Sequence, residues 1–535
     1  MRILLFFFIA LFFTTQGFAA PATPALSRTI LSIEVIGNTL LSDDQLSKAT
    51  APFIGKDLSL AEINNIVTAI TDAYRKNRFF LVKVYLPEQK IKAGKVQISV
   101  LEGVISHFSV TGNRFYKTSF IKKHFLNVET PTGGKLKSVR RAALLLNDYP
   151  DLKAEILFKP GTVSGTADLE VAIKDEQPAH VSLDYNNFGS KLISRHRFGI
   201  GFDIGNLVAD GHNISLRGMF GSPIHELKYY RVEYTAPYDY TGHKVHFMYA
   251  RGDLDLGGEF ANNGIDMTTE AVGLSVSYPF LKTHLQELLG ELGFEANNLR
   301  QPAPDRNDRI RVIRGRADYT QFSEDTRDFL SVTLTQGLGS LLGGTENNSA
   351  LTSRPGADDL FTKAAIDWVR VRLIPQPYFI PHPYSLIIGG AAQISSDNLV
   401  VGEQFSVGGP NSVRGYPLGE FLGDNGYRLS TEIRVSPFAG PEKIQGAFFL
   451  DHGGSFTKQS ATHDFKHYLT GIGFGVRMDF PGQVILREPD SETGKPGYLI
   501  DYYYQVRADL GFPIGDRPVT QGRGPIFYLQ VVGRF

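Results

Sequence analysis

The chain has no cysteine. This removes disulfide staples, thiol nucleophiles and thiolate-bound zinc, and it suits a protein that passes through an oxidising compartment without relying on cross-links. A charge excess is also missing. The 55 Lys+Arg residues match the 55 Asp+Glu residues, whereas a nucleic-acid binder carries a basic surplus, so no nucleic-acid partner is expected. Beyond the N-terminus no stretch approaches the roughly 20 consecutive apolar residues of a membrane-crossing helix. The histidines are scattered without metal-ligand spacing, and no glycine-rich loop follows a strand and opens a helix. Catalytic residues, metal ligands and cofactors are therefore not expected, and Arg251-Gly252-Asp253 reads as a strand end.

What is present begins with an export signal over residues 1–19. Arg2 supplies the positive end, and Ile3 to Phe13 form an apolar run too short to span a bilayer. Gly17-Phe18-Ala19 places small residues for cleavage after Ala19. An exported chain without a helical span can cross a membrane only as a closed barrel. A hydrophobic fraction of 42%, with Phe 38 and Tyr 23, suits a wall that is apolar at every second position and girdled by aromatics.

Two similar units follow, over residues 28–103 and 104–176. Ile33-Glu34-Val35-Ile36 alternates and ends at Gly37-Asn38, and Phe108-Ser109-Val110-Thr111 ends likewise at Gly112-Asn113. Ser59 and Glu62 make a capping box, after which Ile63, Ile66, Val67, Ile70 and Tyr74 share one helical face. In the second unit Val139, Ala142, Ala143 and Leu146 do the same. Two strands close each unit: Phe80–Leu86 with Lys95–Leu101, and Leu152–Phe158 with Ala167–Ile173. Both units read as small α+β domains.

After Gln177-Pro178 helical periodicity gives way to alternation. Ser430, Glu432, Arg434 and Ser436 interleave with Leu429, Thr431, Ile433 and Val435. Gly471, Gly473, Gly475, Arg477 and Asp479 interleave with Ile472, Phe474, Val476, Met478 and Phe480. In a transmembrane β-barrel the apolar face meets lipid and the polar face lines a wet lumen. The region 178–535 holds about sixteen such antiparallel strands. The last strand alternates through Phe527, Leu529, Val531 and Gly533 to a terminal Phe535. If both barrel ends lie on the inner side, the long loops Gly337–Leu360 and Ser396–Gly426 face outward, and loops of this length are functional more often than connective.

The second of these loops contains Ser412-Val413-Arg414-Gly415-Tyr416, preceded by Gly408-Gly409. This resembles the sixth-loop signature of the outer-membrane translocase superfamily. Gly446-Ala447-Phe448-Phe449-Leu450-Asp451-His452-Gly453 resembles that superfamily's next signature, on the thirteenth strand. Further upstream, Pro52-Phe53-Ile54-Gly55-Lys56, Val84-Tyr85-Leu86-Pro87-Glu88-Gln89 and Val100-Leu101-Glu102-Gly103 are similar to the two-partner secretion transporters, the haemolysin secretion/activation family of type V secretion. The resemblance spans nearly the whole mature chain.

It implies two periplasmic POTRA domains before a sixteen-stranded barrel in the bacterial outer membrane. It also implies a role in passing an unfolded partner polypeptide, expected to be β-helical once outside, to the cell surface. Lipid and the barrel-assembly machinery would be further partners. The sixth loop would fold into the lumen with Val413, Arg414, Gly415 and Tyr416 at its tip. Arg414 would pair with Asp451, and Glu432 is an alternative acidic partner; without the resemblance Arg414 reads as a solvated loop arginine. POTRA capture would use the edge strand carrying Phe80, Val82, Val84 and Leu86. Two departures stand out. About ten residues separate the cleavage site from Ile30, too few for the plug helix of many members, and Pro481–Gly497 reads as an insertion where a short turn is expected. A barrel-insertion factor and a solute channel remain as alternative functions.

Overall fold

The computed structural model describes residues 28–535, apart from 78, 80, 127–135, 164–165, 191–192, 258–264, 303–304, 346–350, 355, 358, 375–383, 437–443, 459–465, 488–497 and 516–523. The export signal, the space before Ile30 and Phe80 lie outside the described residues. The described residues form two compact units. The first comprises those within Met1–His107, Glu129–Lys137 and Phe158–Leu169, and the second those within Phe108–Val128, Ser138–Leu157 and Glu170–Phe535.

In the first unit, helices Asp43–Thr50 and Leu60–Lys76 each begin with a complete capping box, Ser42 with Gln45 and Ser59 with Glu62. Their hydroxyls and side-chain carbonyls satisfy backbone N–H groups that a helix start leaves open. The longer helix buries Ile63, Ile66, Ile70 and Tyr74 against Val96, Ile98 and Val100. Those valines and isoleucines lie on the central strand Lys95–Glu102, flanked by Ser32–Ile36 in parallel and Val82–Tyr85 antiparallel.

The two repeats share a turn device that only their geometry reveals. Gly37 and Gly112 hold φ of +88° and +85°, and a Cβ at either would lie 2.2 or 2.3 Å from the carbonyl oxygen of Val100 or Ile173. The following asparagines donate to Leu41 O and Tyr116 O, each at 2.8 Å. An acid at the end of the last strand then caps the turn. Glu102 accepts from the backbone N–H groups of Thr39 and Leu40, and Asp175 from those of Arg114, Phe115 and Tyr116. Burial opposes the charge on Glu102, but these donors and the Tyr74 hydroxyl hold its carboxyl below the usual range.

Sixteen antiparallel strands close into the barrel. They are β1 (Ala179–Asn186), β2 (His196–Gly205), β3 (Asn213–Ser222), β4 (Leu227–Pro237), β5 (Lys244–Asp255), β6 (Asp266–Lys282), β7 (Gln286–Gln301) and β8 (Arg306–Phe322). They continue as β9 (Thr326–Gly337), β10 (Thr362–Ile374), β11 (Tyr384–Ser395), β12 (Asn425–Val435), β13 (Ile444–Phe456), β14 (Lys466–Arg487), β15 (Tyr498–Ile514) and β16 (Ile526–Arg534). Terminal Phe535 exchanges two backbone hydrogen bonds with Val181 at the β1–β16 seam. Closure leaves no open edge, the condition for strands in lipid. Leu216, Leu429, Ile433, Ile472 and Phe474 point outward; Glu432, Asp451 and Arg477 point inward and are buried. The segment read as an insertion is partly strand: Pro481 to Arg487 continue β14 and pair with residues of β15 from Tyr503 back to Tyr498. Residues 488–497 lie outside the described residues.

Within the second unit, helix Thr118–Lys123 docks on the turns β2–β3 and β4–β5. Phe120 and Tyr149 sit against Gly211, where φ is +83° and a Cβ would be 2.7 Å from each ring. Lys282 pairs with Asp148 at 2.7 Å. At the centre His124 packs edge-on against Phe120, Tyr149 and Tyr240. Its Nδ1 is 3.1 Å from Phe120 O and its Nε2 is 3.2 Å from the Tyr149 hydroxyl. A carbonyl can only accept, so Nδ1 carries the proton and Nε2 accepts from tyrosine. Burial pushes this imidazole down to about 4, helped by Lys244 and opposed by the Phe120 carbonyl and Asp239.

Because the folded pKa is depressed, this docking is fully stable above the solution pKa of 6.5 and weakens as pH falls toward 4. The loss is about 3 kcal/mol once the ring must charge. The protection factors of the Thr118–Lys123 amides in detergent, each taken relative to intrinsic exchange at the same pH, should fall between pH 6.5 and 4, and His124→Phe should flatten that dependence. Exchange whose protection is unchanged by pH would show that His124 is not held neutral.

Candidate functional site

The β11–β12 loop, residues 396–424, enters the lumen as a hairpin, with Phe405–Val407 paired to Phe421–Gly423. Gly408 and Gly409, both at φ +106°, turn the chain toward its tip, a conformation L side chains rarely adopt. At the tip Val413 and Tyr416 are fully buried with Val407 and Leu469. The Tyr416 hydroxyl is 3.1 Å from Thr470 O and 3.3 Å from Ile514 O. Gly415 N donates to the Tyr528 hydroxyl at 3.1 Å, which in turn donates to Tyr416 O at 2.5 Å.

Arg414 is the centre. Its Nε and Nη2 reach the two oxygens of Asp451 at 2.7 and 2.9 Å, and its backbone N–H adds a third bond at 3.1 Å. Nη1 bonds Glu432 and lies 3.8 Å from Asp509. The guanidinium carbon stacks 3.4 Å above the centre of the Phe449 ring. A planar fork of donors over an aromatic face is a geometry lysine cannot reproduce.

The wall completes the network. Arg477 bonds Glu432 at 3.1 Å and Asp509 at 2.7 Å. Arg434 bonds Glu432 at 2.6 Å and Arg507 bonds Asp509 at 2.8 Å. Each carboxylate is buried, with Asp451 at 0% exposure. Glu432 and Asp509 keep wall arginines whatever the loop does. Asp451 receives Arg414 and the Ser430 hydroxyl, so its cation comes from the loop. Beside the tip lies a cavity of about 480 Å³ lined by Arg428, Arg434, Arg477, Arg507, Asp367 and Asp479, among others.

Glycines make room for the tip. A Cβ at Gly471 would fall 1.8 Å from Arg414 O, and one at Gly511 would fall 2.4 Å from Gly415 N. Gly471 of β14 and Gly511 of β15 thus form a seat for the loop.

The sequence offered Asp451 and Glu432 as alternatives for Arg414; the structure gives it both. Asp509, Arg477, Arg507, Phe449 and Tyr528 were not singled out. Arg477 showed only as a charge on an alternating face, and Phe449 only inside a motif. On the edge strand Val82–Tyr85, Val82 and Val84, and Leu86 just after it, pack against the core of their own module. Gly103 N bonds Leu81 O. By antiparallel alternation the backbone groups of Lys83 and Tyr85 then face the neighbouring strand, while those of Val82 and Val84 face the open edge.

Comparison with known proteins gives consistent matches. The family model described as haemolysin secretion/activation protein ShlB/FhaC/HecB matches residues 165–478, and that described as POTRA domain, ShlB-type, matches residues 29–103. The heme/hemopexin transporter protein HuxB of Haemophilus influenzae is 24% identical over 453 residues, covering 82% of this chain and 78% of its own. The outer membrane transporter CdiB of Escherichia coli is 23% identical over 437 residues, covering 77% and 70%. The solved structure of CdiB from Escherichia coli superposes with a TM-score of 0.75 at 18% identity, covering 98% of this chain and 93% of that one.

If the glycine seat positions the tip, Gly471→Ala should unseat the loop as Arg414→Gln does, at a cost of about 2 kcal/mol. Protease protection of residues 405–423 in the folded barrel reports it. The double variant should be little worse than either single one, because both changes release the same contact. Fully additive losses would show that seat and ion pair act separately.

Proposed function

This chain belongs to the haemolysin secretion/activation family of ShlB, FhaC and HecB, outer-membrane two-partner secretion transporters with POTRA modules on the periplasmic side, and we propose that it captures an unfolded partner polypeptide in the periplasm and passes it through the barrel. We assign residues 28–103 and 104–176 to the POTRA domains and 178–535 to the barrel, with cleavage after Ala19. The partner would add a strand at the open side of Val82–Tyr85, using the outward backbone groups of Val82 and Val84 for affinity. The module's core occupies the side chains of Val82, Val84 and Leu86, so selectivity would come from neighbouring surface. Folding of the partner outside would bias the direction without ATP.

The observation that carries the reading is the seat of Arg414. A buried arginine bound bidentately to a buried aspartate contributes little net stability over apolar packing, yet breaking it leaves a charge stranded. Such a contact is kept for position. We read Val413, Arg414, Gly415 and Tyr416, with Asp451 and Glu432, as a lock that fixes the loop across the lumen and keeps the resting pore closed to small solutes. Terminal Phe535 would present the chain to the barrel-assembly machinery. The relatives' names point to different cargoes, so the partner is proposed only as a class, a secreted polypeptide β-helical once folded.

One secretion assay tests both halves, with the partner expressed alongside the transporter. Arg414→Ala should lower secretion by about tenfold or more while the barrel still assembles, the effect of about 1.4 kcal/mol or more in a rate-limiting step. Val84→Pro, which removes an outward N–H without touching the ladder, should also lower it and leave the barrel's channel unaltered. Normal secretion by Arg414→Ala would refute the lock, and normal secretion by Val84→Pro would refute capture at this edge.

A further inference from the structure

The β11–β12 loop is held at a second place, far along the chain from its tip. Its stem residues Leu399 and Val400 are fully buried in a cluster with Ile310 and Val312 on the inner face of β8 and with Ala357 and Phe361 of the β9–β10 loop. This cluster is separate from the apolar one at the loop tip, on an inner face that elsewhere carries polar side chains. Here it is made by two loops folding inward over the extracellular mouth.

Ion pairs surround the cluster. Asp424 is completely buried and is gripped by both terminal nitrogens of Arg354 from the β9–β10 loop. It also accepts the backbone N–H groups of Leu399 and Lys458, each at 2.8 Å. Arg354 further donates to Leu399 O at 3.0 Å. Glu403, on the same stem, pairs with Lys363 of β10 and with Arg314 of β8, the latter at 2.7 Å. The Gln393 amide of β11 bridges the carbonyl oxygens of Glu403 and Asp424 at 3.1 Å each. None of these residues takes part in the lock at Arg414.

The two holds differ in what breaking them strands. Withdrawing Arg414 leaves Asp451 buried without its cation. Withdrawing Arg354 also leaves Asp424 without its cation, but Asp424 keeps two backbone donors, at Leu399 and Lys458, and Glu403 keeps both of its cations. The Arg354 side chain is 17% exposed against 5% for Arg414, so water can take over its hydrogen bonds at the mouth. The β9–β10 loop is therefore the part that opens at lower cost.

We infer that Arg354 and Asp424, with the apolar cluster they close over, form an outer latch, and that an outgoing polypeptide displaces this latch at the mouth once the inner lock has released. The inference rests on the transport reading above. It makes Arg354 and Asp424 positioning residues for the β9–β10 loop over the mouth.

The absence of native cysteine allows a direct test in the full-length protein. Val401 N is 3.4 Å from the Ser353 hydroxyl, so the two positions are neighbours and Ser353→Cys with Val401→Cys is the pair to cross-link. With the disulfide verified, secretion should drop about tenfold and return on adding reductant, as for any obligatory gating motion held shut. Full secretion through the verified disulfide would overturn the latch. A second arm needs no partner: in planar lipid bilayers Arg354→Gln added to Arg414→Ala should raise mean ionic current several-fold over Arg414→Ala alone, and an unchanged current would equally overturn it. The cysteine-free wild type must secrete with and without reductant. A wild type that secretes nothing in either condition would count against the transport reading rather than the latch.

Discussion

A buried aspartate that has no cation of its own governs this molecule. Three carboxylates sit on the inner wall of β12, β13 and β15. Two of them, Glu432 and Asp509, are neutralised by wall arginines. The third, Asp451, is completed by Arg414, carried in on a loop. Without the loop, the wall arginines 434, 477 and 507 balance the three carboxylates in number but not in place. Burying an unpartnered carboxylate costs several kcal/mol, so the wall is built to be finished by the loop. Gly471 of β14, Gly511 of β15 and the hydroxyls of Tyr416 and Tyr528 follow from that requirement, since each brings the loop backbone close enough for the guanidinium to reach.

The same logic explains why like charges lie side by side. Arg477 and Arg507 are direct cross-strand partners, an arrangement that repels. Asp509 lies between them and binds both, and Glu432 takes the second face of Arg477. The network is therefore a unit. Its members should couple strongly in double-mutant cycles rather than add.

Much of this was legible in the sequence, at the level of faces. Alternation separated Glu432 and Arg434 from Leu429 and Ile433, and it marked the glycines and Arg477 of β14 as lumenal. The capping box at Ser59 and Glu62 and the paired Gly-Asn turns announced the repeated modules. What alternation cannot supply is register. Nothing in the order of residues says that Asp509 of β15 lies opposite Gly475 and so within diagonal reach of Arg477 on β14, or that Tyr528 of β16 reaches the backbone of Gly415. Those meetings depend on the stagger of neighbouring strands around a closed barrel. The continuation of β14 through Pro481 was missed for a related reason. Pro481-Gly482 reads locally as a turn, but pairing with Tyr503 and Tyr502 overrides it. The caps on the two Gly-Asn turns were equally hidden, because Glu102 and Asp175 lie more than fifty residues from the turns they close.

The central claim is that charge complementarity at Asp451 holds the loop tip against the wall. It is most directly tested by the distance between spin labels at Leu418→Cys on the loop and Gln505→Cys on β15, in a chain with no other cysteine. Pulsed electron-electron resonance should give one narrow distance distribution for the native network and a broad or split one when Asp451→Asn is added. A distribution that stays narrow and unshifted in Asp451→Asn would contradict the account, because the loop would then be held by something other than its ion pair.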